Sequence, residues 1–286
     1  MNYRHAFHAG NFADVIKHLV LVRILSHLQD KPAPFRIVDS HAGAGLYDLS
    51  GDEATRSGEW TEGIARMMQA RFTEESTPLV AAYLDIVRSF NQPRELKAYP
   101  GSPLIARAMM RPQDRMVCCE VEPAARKQLI KALRKDEQAR VVDLDGWVAL
   151  PAFVPPNERR GVVLIDPPFE DKNEFVRLGD VFAQTYGKWP TGIYVIWYPA
   201  KSRRATDELA QHVAATAAGS ATPGKCMRLE FSVAPQTADG ALTSAGLLVV
   251  NPPWKLAAEL KDILPQLVKP LGLGGAGRFR LETVKP

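Results

Sequence analysis

The stretch FRIVDSHAGAG (residues 35–45) joins a short apolar run to a turn that contains two closely spaced glycines. Similar apolar runs follow it in DRMVCCEVEP, ARVVDLDGW, GVVLIDPP and TGIYVIWYP, which begin at Asp114, Ala139, Gly161 and Thr191. Their apolarity is continuous rather than alternating, which is typical of strands buried on both faces in a parallel sheet. Helical patterns lie between the runs, and this alternation predicts a doubly wound α/β fold.

Two features modify the plain doubly wound pattern. Near the C-terminus, KCMRLEFSVAP and TSAGLLVVNPP are separated by a turn too short for a helix, which predicts a β-hairpin and a sheet of seven strands. By analogy, this is the Rossmann-like sheet of class I methyltransferases. The first strand ends at Asp39 and the second at Glu120, a far longer separation than the roughly 30 residues of a βαβ step. We therefore expect one domain, residues 1–286, with a small helical insertion at about 47–99.

The composition indicates a globular protein without a membrane span. Of the 286 residues, 46% are hydrophobic and 24% are charged, and the net charge is +4. No apolar run approaches the roughly 20 residues of a membrane helix. The three cysteines have neither zinc nor disulfide spacing. We expect a cytoplasmic protein with no metal and no membrane partner, whose basic excess permits a phosphate-bearing partner without requiring one.

The turn after the first strand predicts a nucleotide-type cofactor site. Gly43 and Gly45 form G-x-G, but Asp48 stands where the third glycine of a dinucleotide-binding fingerprint would be. A ligand that lacks a pyrophosphate, such as S-adenosylmethionine, therefore suits this turn better than NAD or FAD. Taken alone, G-x-G also fits a purely structural turn.

Further polar residues are expected at the same edge of the sheet. Glu120 follows the second strand and can accept hydrogen bonds from ribose hydroxyls. Asp145, after the third strand, can accept a hydrogen bond from an adenine amino group, although Glu122 and Asp143 fit these two positions nearly as well. Ser102 is the predicted N-cap of a helix whose free N–H groups could hold a carboxylate.

The motif DPPF (residues 166–169) predicts chemistry on an exocyclic amine at the end of the fourth strand. Asp166 and the carbonyl of Pro167 can accept hydrogen bonds from such an amine. This localises the nitrogen lone pair for attack on a methyl group, and Asp166 can then take the released proton. Pro167 and Pro168 fix the backbone, and Phe169 offers a ring on which a base can stack. The four residues are our candidate catalytic group.

The motif NPPW (residues 251–254) has the same pattern but ends the second strand of the predicted hairpin. That strand should run antiparallel to the others, so its end should lie at the opposite edge of the sheet. Asn251 is also not a base. We therefore expect a structural turn here, with Trp254 packed over the bottom of the sheet.

Taken together, DSHAGAG, YPGSPLIAR, GVVLIDPPFE, GIYVIWYP and NPPWKL, with the opening YRHAFHAGNFADVIKH, resemble the RlmJ-type 23S ribosomal RNA adenine-N6 methyltransferases. The resemblance covers essentially the whole chain. It implies a monomeric enzyme that transfers a methyl group from S-adenosylmethionine to one adenine N6 in 23S rRNA. The family often has Tyr where this chain has Phe169, a difference that keeps the stacking face.

The resemblance also assigns roles to individual residues. Beside the glycines of the turn, the implied cofactor contacts are His18, His41, Ser102, Glu120, Asp145, Gly146 and Asp166. Asp166 takes the catalytic position, and Tyr3 and Lys17 match positions that act near the target nucleotide. Without the resemblance, His18 would be interpreted as an ordinary helix histidine.

Three alternatives stay open at the level of sequence. An adenine-N6 DNA methyltransferase must flip a base from a duplex and usually carries a larger recognition domain than the insertion offers. A methyltransferase fold kept as a non-catalytic RNA-binding module is disfavoured by the intact Asp166, Glu120 and glycine turn. A protein-glutamine methyltransferase more often has Asn than Asp at the first position of the Pro-Pro motif.

Overall fold

A central β-sheet organises the part of the chain that this computed structural model describes, residues 4–134, 136–236 and 241–286. The strands are β1 (Arg36–Asp39), β2 (Leu46–Asp48), β3 (Ala98–Pro100), β4 (Arg115–Cys119), β5 (Ala139–Val142), β6 (Gly161–Ile165), β7 (Ile193–Pro199), β8 (Cys226–Ser232), β9 (Ser244–Val250) and β10 (Arg278–Val284). The helices are α1 (Phe12–Gln29), α2 (Asp52–Ser57), α3 (Glu59–Glu62), α4 (Ile64–Gln69), α5 (Thr77–Ser89), α6 (Ser102–Met109), α7 (Pro123–Leu133), α8 (Gly146–Ala152), α9 (Glu174–Lys188), α10 (Arg203–Ala218) and α11 (Leu256–Leu271).

Eight of the strands form one sheet in the order β10-β8-β9-β7-β6-β1-β4-β5, and β2 pairs with β3 in a separate ladder. Strands β7, β6, β1, β4 and β5 are parallel, whereas β9 is antiparallel to both β7 and β8. The predicted α/β class and terminal hairpin are confirmed. The prediction of seven strands is wrong by one, because β10 adds an antiparallel edge strand next to β8. In its sequence, RFRLETV, polar and apolar residues roughly alternate, and six of the seven residues are at least partly exposed. The strand therefore lacks the continuous apolar run that predicted the central strands.

The central strands are buried on both faces, which explains their continuous apolarity. Ile37 and Leu164 belong to the apolar core that contains α1, α6, α7 and α11. Their neighbours Val38 and Val163 belong to a second core, formed with α8, α9 and α10. Successive side chains of a strand point to opposite faces of a sheet, so helices cover both sides. This arrangement leaves the carboxyl ends of the parallel strands as the edge where a ligand can bind.

Helices α2 to α5 lie between β2 and β3, in the stretch where a helical insertion was expected. Their buried side chains include Ile64, Met67, Val80 and Tyr83, and these join the same apolar core as α1. The ladder of β2 and β3 places Tyr47 opposite Tyr99 at the base of this stretch. That the stretch forms a subdomain within a single domain stays a prediction.

The motif NPPW lies at the edge of the sheet opposite DPPF. Val250, the last residue of β9, pairs with Tyr194 near the start of β7, whereas Asp166 follows the carboxyl end of β6. Because β9 runs antiparallel to its neighbours, Asn251 emerges at the amino ends of the parallel strands. The separation that strand direction predicted is confirmed.

Within NPPW, the two end residues have different environments. The side-chain amide of Asn251 donates hydrogen bonds to the carbonyls of Pro190, at 2.8 Å, and Gly192, at 2.7 Å, which ties the hairpin to the loop before β7. The expectation that Trp254 packs over the sheet is wrong, because its side chain is 79% exposed. The ring meets the ammonium group of Lys255 instead, 5.2 Å from the ring centroid.

The described part of the chain contains neither a membrane-spanning helix nor a metal-binding cluster nor a disulfide. No helix there combines the length and apolarity needed to cross a membrane. The same residues contain no group of three or more His, Cys, Asp or Glu side chains placed to hold a metal ion. Cys118, Cys119 and Cys226 are buried free thiols.

Candidate cofactor and substrate site

A cavity of about 410 Å³ opens at the carboxyl ends of β1, β4, β5 and β6. Its volume lies within the usual range for small-molecule sites. The predicted residues that line it are Lys17, His18, His41, Gly43, Ser102, Glu120, Gly146, Asp166 and Pro168. The predicted residues outside its lining are Gly45, Asp145, Pro167 and Phe169. Tyr3 lies outside the described residues.

The glycine turn needs both of its glycines, for different reasons. Gly43 and Gly45 have φ angles of +65° and +78°, in the left-handed region that other residues rarely adopt. A Cβ on Gly43 would lie 2.2 Å from the hydroxyl of Tyr47, at the cavity wall. A Cβ on Gly45 would lie 2.7 Å from Leu129 of α7. Gly43 therefore shapes the cavity, and Gly45 allows α7 to pack against the turn.

Two backbone N–H groups hold the side chain of Glu120 at the cavity. Its carboxylate accepts hydrogen bonds from the backbone N–H groups of Gly43, at 2.8 Å, and Glu122, at 2.7 Å. Burial raises the pKa of Glu120, although these two bonds act in the opposite direction. The side chain of Glu122 caps α7, and Asp143 forms an exposed ion pair with Arg126. The sequence offered Glu120 or Glu122 after the second strand. Both line the cavity, but both oxygens of Glu122 cap α7, so we favour Glu120 for a ligand.

Ser102 was expected to be the N-cap of α6, and this expectation is wrong. The N-cap is Gly101, and Ser102 is the first helical residue. Its hydroxyl donates a 2.6 Å hydrogen bond to Oδ2 of Asp39, the last residue of β1. Asp39 is 1% exposed, and its other oxygen has no hydrogen-bond partner among the described residues. Burial raises the pKa of Asp39 to about 7.

Asp39 does not line the cavity but contacts the lining residue Ser102, and it was not among the predicted site residues. A carboxylate at the end of a buried strand, just before the glycine turn, was the available signal. Its burial beneath Ser102 could not be foreseen, because the bond joins residues from β1 and α6 that are far apart along the chain.

The two predicted histidines line the cavity, and burial keeps both rings neutral. Nδ1 of His18 shares a 2.7 Å hydrogen bond with the hydroxyl of Tyr99, whereas its Nε2 is buried without a partner among the described residues. Burial lowers the pKa of His18 to about 3. His41 stands edge-on to Trp147, with ring centroids 5.1 Å apart, and burial lowers its pKa to about 4. A buried ring nitrogen without a partner, at a cavity wall, is suited to contact a ligand.

The sequence suggested that Asp145 ends the third parallel strand, but it does not. Strand β5 ends at Val142, and Asp145 is the N-cap of α8, where it accepts a 2.8 Å hydrogen bond from the backbone N–H of Trp147. The next residue, Gly146, does line the cavity. A Cβ on Gly146 would lie 2.2 Å from the carbonyl oxygen of Ser40. The close approach of two backbones at this point therefore requires glycine.

Asp166 meets a buried cation from α1. The ammonium group of Lys17 lies 2.5 Å from Oδ2 of Asp166 and 2.7 Å from Oδ1 of Asp14. Lys17 is only 4% exposed. Burial acts to lower the pKa of Lys17, but the two carboxylates outweigh it and hold the pKa above its usual value. Lys17 is therefore charged, and it fixes one oxygen of Asp166.

The rest of DPPF forms a rigid turn beside the cavity. Pro167 is buried and Pro168 lines the cavity wall. Phe169 has a φ angle of +51°, an uncommon conformation for an aromatic residue. Its ring contacts Phe175 and Trp197, with centroid distances of 5.0 and 5.6 Å. The ring is therefore held at a defined place next to Asp166, and its stacking on a base stays a prediction.

A family model described as "Ribosomal RNA large subunit methyltransferase D, RlmJ" matches residues 32–284. The chain belongs to this family. Two proteins named "Ribosomal RNA large subunit methyltransferase J" are similar over 287 aligned residues, which cover 100% of this chain and 99% of each relative. The one from Escherichia coli (strain K12) is 39% identical and the one from Haemophilus influenzae is 37% identical. The predicted family is confirmed.

A solved structure has nearly the same fold as this RlmJ-family chain. It is a protein from Legionella pneumophila str. Philadelphia 1 that is 31% identical, with a TM-score of 0.86. The similarity covers 96% of this chain and 98% of that protein. The fold described above is therefore shared, over nearly its whole length, with the Legionella protein.

Membership in the RlmJ family answers several questions that the sequence left open. The protein is an enzyme, a ribosomal RNA methyltransferase, as predicted. The alternatives of a DNA methyltransferase, a protein-glutamine methyltransferase and a non-catalytic RNA-binding module are set aside. The family implies a methyl donor of the S-adenosylmethionine type. The roles of individual residues are a separate matter, which the geometry of the cavity addresses.

Proposed function

We propose that this protein transfers a methyl group from S-adenosylmethionine to the exocyclic N6 of one adenine in 23S rRNA. The proposed substrate is naked or partly assembled large-subunit RNA, and we expect the enzyme to act as a monomer in the cytoplasm. The observation that supports the adenine chemistry is the pairing of Lys17 with Asp166 at the cavity wall, 2.5 Å apart, immediately before the Pro-Pro-aromatic turn.

The cavity fits a cationic nucleoside cofactor. Glu120 is placed to accept hydrogen bonds from ribose hydroxyls, and the N-terminus of α6 at Ser102 is placed to hold a carboxylate. Gly43 and Gly146 allow close approach of the backbone. When bound, S-adenosylmethionine supplies an electrophilic methyl group on a positively charged sulfur.

The walls beside this cofactor site offer further contacts. Nε2 of His18 is buried without a hydrogen-bond partner among the described residues, and we expect it to form one hydrogen bond to the ligand. His41 lines the cavity. Asp145 lies outside the lining, one residue before Gly146, and its assignment to the adenine amino group rests on the family resemblance. Because burial keeps both histidines neutral, they add no positive charge that would repel the sulfonium group.

In this proposal Asp166 orients the target amine and accepts its proton. Lys17 occupies Oδ2, so Oδ1 can accept a hydrogen bond from the N6 amine of the target adenine, together with the carbonyl of Pro167. These bonds draw the nitrogen towards tetrahedral geometry and localise its lone pair for attack. As the N–CH₃ bond forms and the S–CH₃ bond breaks, the surplus proton on N6 passes to Asp166 directly or through water.

Phe169 holds the base while this happens. Its ring is fixed by Phe175 and Trp197, so the entropy cost of ordering it has been met before the substrate arrives. A flipped adenine stacked on such a ring gains about 1–3 kcal/mol. By family resemblance, we expect Lys17 and Tyr3 to act near the target nucleotide.

The direct test is mass spectrometry of 23S rRNA from cells that lack this protein. We expect one N6-methyladenine to disappear, to return with the wild-type gene and to stay absent with the Asp166→Ala variant. The Asn251→Ala variant, altered in the corresponding position of the other Pro-Pro motif, should restore the mark. A modification lost at a base other than adenine, or an unchanged spectrum, would contradict the proposal.

A further inference from the structure

Asp14, in the first turn of α1, joins two walls of the cavity through one carboxylate. Its Oδ1 accepts a 2.7 Å hydrogen bond from the ammonium group of Lys17. Its Oδ2 lies 2.9 Å from the backbone nitrogen of Gly10 and 3.0 Å from Nε2 of His5. The side chain is only 2% exposed. His5 and Lys17 both line the cavity, whereas Asp14 itself lies behind them.

An acidic residue in the first turn of a helix has an ordinary structural explanation, because it stabilises the positive end of the helix dipole. Asp14 is also held in this turn by Asn11, whose side chain accepts a 3.0 Å hydrogen bond from the backbone N–H of Asp14. Dipole stabilisation alone does not require burial, nor a cation that contacts a second carboxylate. Burying a charge is costly unless it is paired, so the two buried contacts point to a more specific role.

The charges of Asp14 and Lys17 agree with a buried ion pair. Burial acts to raise the pKa of Asp14, but the nearby His5 and Lys17 outweigh it, so the pKa lies well below its usual value. Asp14 is therefore an anion. The Lys17 ammonium lies between two carboxylates from different elements, Asp14 of α1 and Asp166 after β6.

We infer that Asp14 is a positioning residue for methyl transfer, because it holds Lys17 against Asp166. This inference rests on the proposed role of Asp166. Without the second carboxylate, Lys17 can change rotamer, and the Asp166 oxygen that it orients is no longer fixed relative to the amine.

The test variant is Asp14→Asn, which keeps the size of the side chain and removes its charge. We expect kcat on 23S rRNA fragments to fall by up to about 100-fold, the cost of roughly 1 Å of misplacement at a reacting centre. The Kd of S-adenosylhomocysteine should stay within about threefold, because Asp14 does not line the cavity. A purely structural role would instead lower the melting temperature without lowering kcat per folded molecule.

Asp114→Asn is the matched control. Asp114 is also a fully buried aspartate paired with a basic residue three positions away, Arg111, and it also accepts a backbone hydrogen bond, from Phe35 at 3.1 Å. It precedes β4, at the edge of the sheet opposite the cavity. This variant should lose stability and keep kcat within about twofold of wild type.

A double-mutant cycle with Lys17→Met separates positioning from general damage. If Asp14 acts through Lys17, Asp14→Asn should lower kcat by less than about twofold in the Lys17→Met background. An equal fold-loss in both backgrounds would overturn the inference, as would wild-type kcat in Asp14→Asn itself.

If Asp14→Asn cannot be purified in folded form, Asp14→Glu keeps the charge and displaces it by one methylene. Its kcat should still fall several-fold, and wild-type kcat in this variant would equally overturn the inference. The failure of the proposed function has a different signature. An active Asp166→Ala enzyme would remove the proposed function, whereas an inactive Asp166→Ala enzyme with a fully active Asp14→Asn enzyme would remove the present inference alone.

Discussion

The ammonium group of Lys17 lies 2.5 Å from the carboxylate of Asp166, although 149 positions separate the two residues along the chain. The contact joins the first long helix to the turn after β6, in the middle of the sheet. It leaves one oxygen of Asp166 for a substrate and fixes the other. In the proposed reaction, a base held in this way is oriented before the substrate arrives, which lowers the entropy cost of the reaction.

We expect Asp166→Ala to lower kcat by about 10²–10⁴-fold, the usual contribution of a positioned general base. The Kd of S-adenosylhomocysteine should change much less, because the ribose and carboxylate contacts come from other residues. Transfer of radioactive methyl to 23S rRNA fragments measures the first quantity, and calorimetry the second. Asn251→Ala is the control: it should reduce stability, since Asn251 bridges two backbone carbonyls, and keep kcat. Near-normal kcat in Asp166→Ala would rule out its role as the base.

We expect Glu120→Gln to weaken cofactor binding. The carboxylate already accepts two backbone hydrogen bonds, and an amide cannot accept as many bonds while it also faces the ribose. Losing a hydrogen bond to a charged group costs about 1.5–3 kcal/mol, which corresponds to a Kd about 10- to 100-fold higher for S-adenosylhomocysteine. Asp143→Asn, which alters an exposed ion pair, should leave the Kd within about twofold, and equal weakening in both variants would argue against the assignment.

Asp39 should make the stability of the protein fall as the pH rises. Burial raises its pKa from 3.8 to about 7 in the folded protein, so between these values the folded state binds the proton more tightly than the unfolded state. The stabilising contribution is complete below about pH 4 and is lost as the pH passes 7, with a limit of about 4 kcal/mol. Asp39→Asn cannot titrate. Urea denaturation from pH 4.5 to 8 should therefore show a difference between variant and wild type that changes steadily with pH, and a constant difference would contradict this prediction.

The central strands were predictable because they are buried on both faces, and such burial requires continuous apolar runs in the local sequence. Strand direction then separated DPPF from NPPW, since it depends only on whether a connection is long enough for a helix. β10 escaped because an edge strand needs no continuous apolarity. Trp254 was misplaced for a related reason: an aromatic residue is usually assumed to be buried, but nothing in the sequence showed that its turn faces solvent.

The site was predictable to the extent that it lies at strand ends. Glu120 and Asp166 follow directly from the carboxyl edge of a parallel sheet, whereas Asp145 was placed on the wrong element although it is next to the cavity. The contacts of Asp14 and Asp39 could not be predicted, because they depend on helix placement and on distances between residues far apart in sequence. The resemblance to a family supplied His18, whose helical spacing carries no sign of a ligand.

Phe169 offers a test of how the base is held. Phe169→Tyr should keep kcat/KM within about twofold, because the ring face is unchanged. Phe169→Leu keeps an apolar side chain without the ring, and losing a stack worth about 1–3 kcal/mol should lower kcat/KM for rRNA by about 5- to 150-fold. The control is Trp254→Leu at the same position of the second motif, which is 79% exposed at the opposite edge of the sheet and should change kcat/KM by less than about twofold. Steady-state kinetics with a 23S rRNA fragment measures all three variants, alongside melting temperatures, because Phe169 also packs on Trp197. If Phe169→Leu matched the wild type while Trp254→Leu lost activity, the RNA would be bound at the far edge and the stacking role of Phe169 would be wrong.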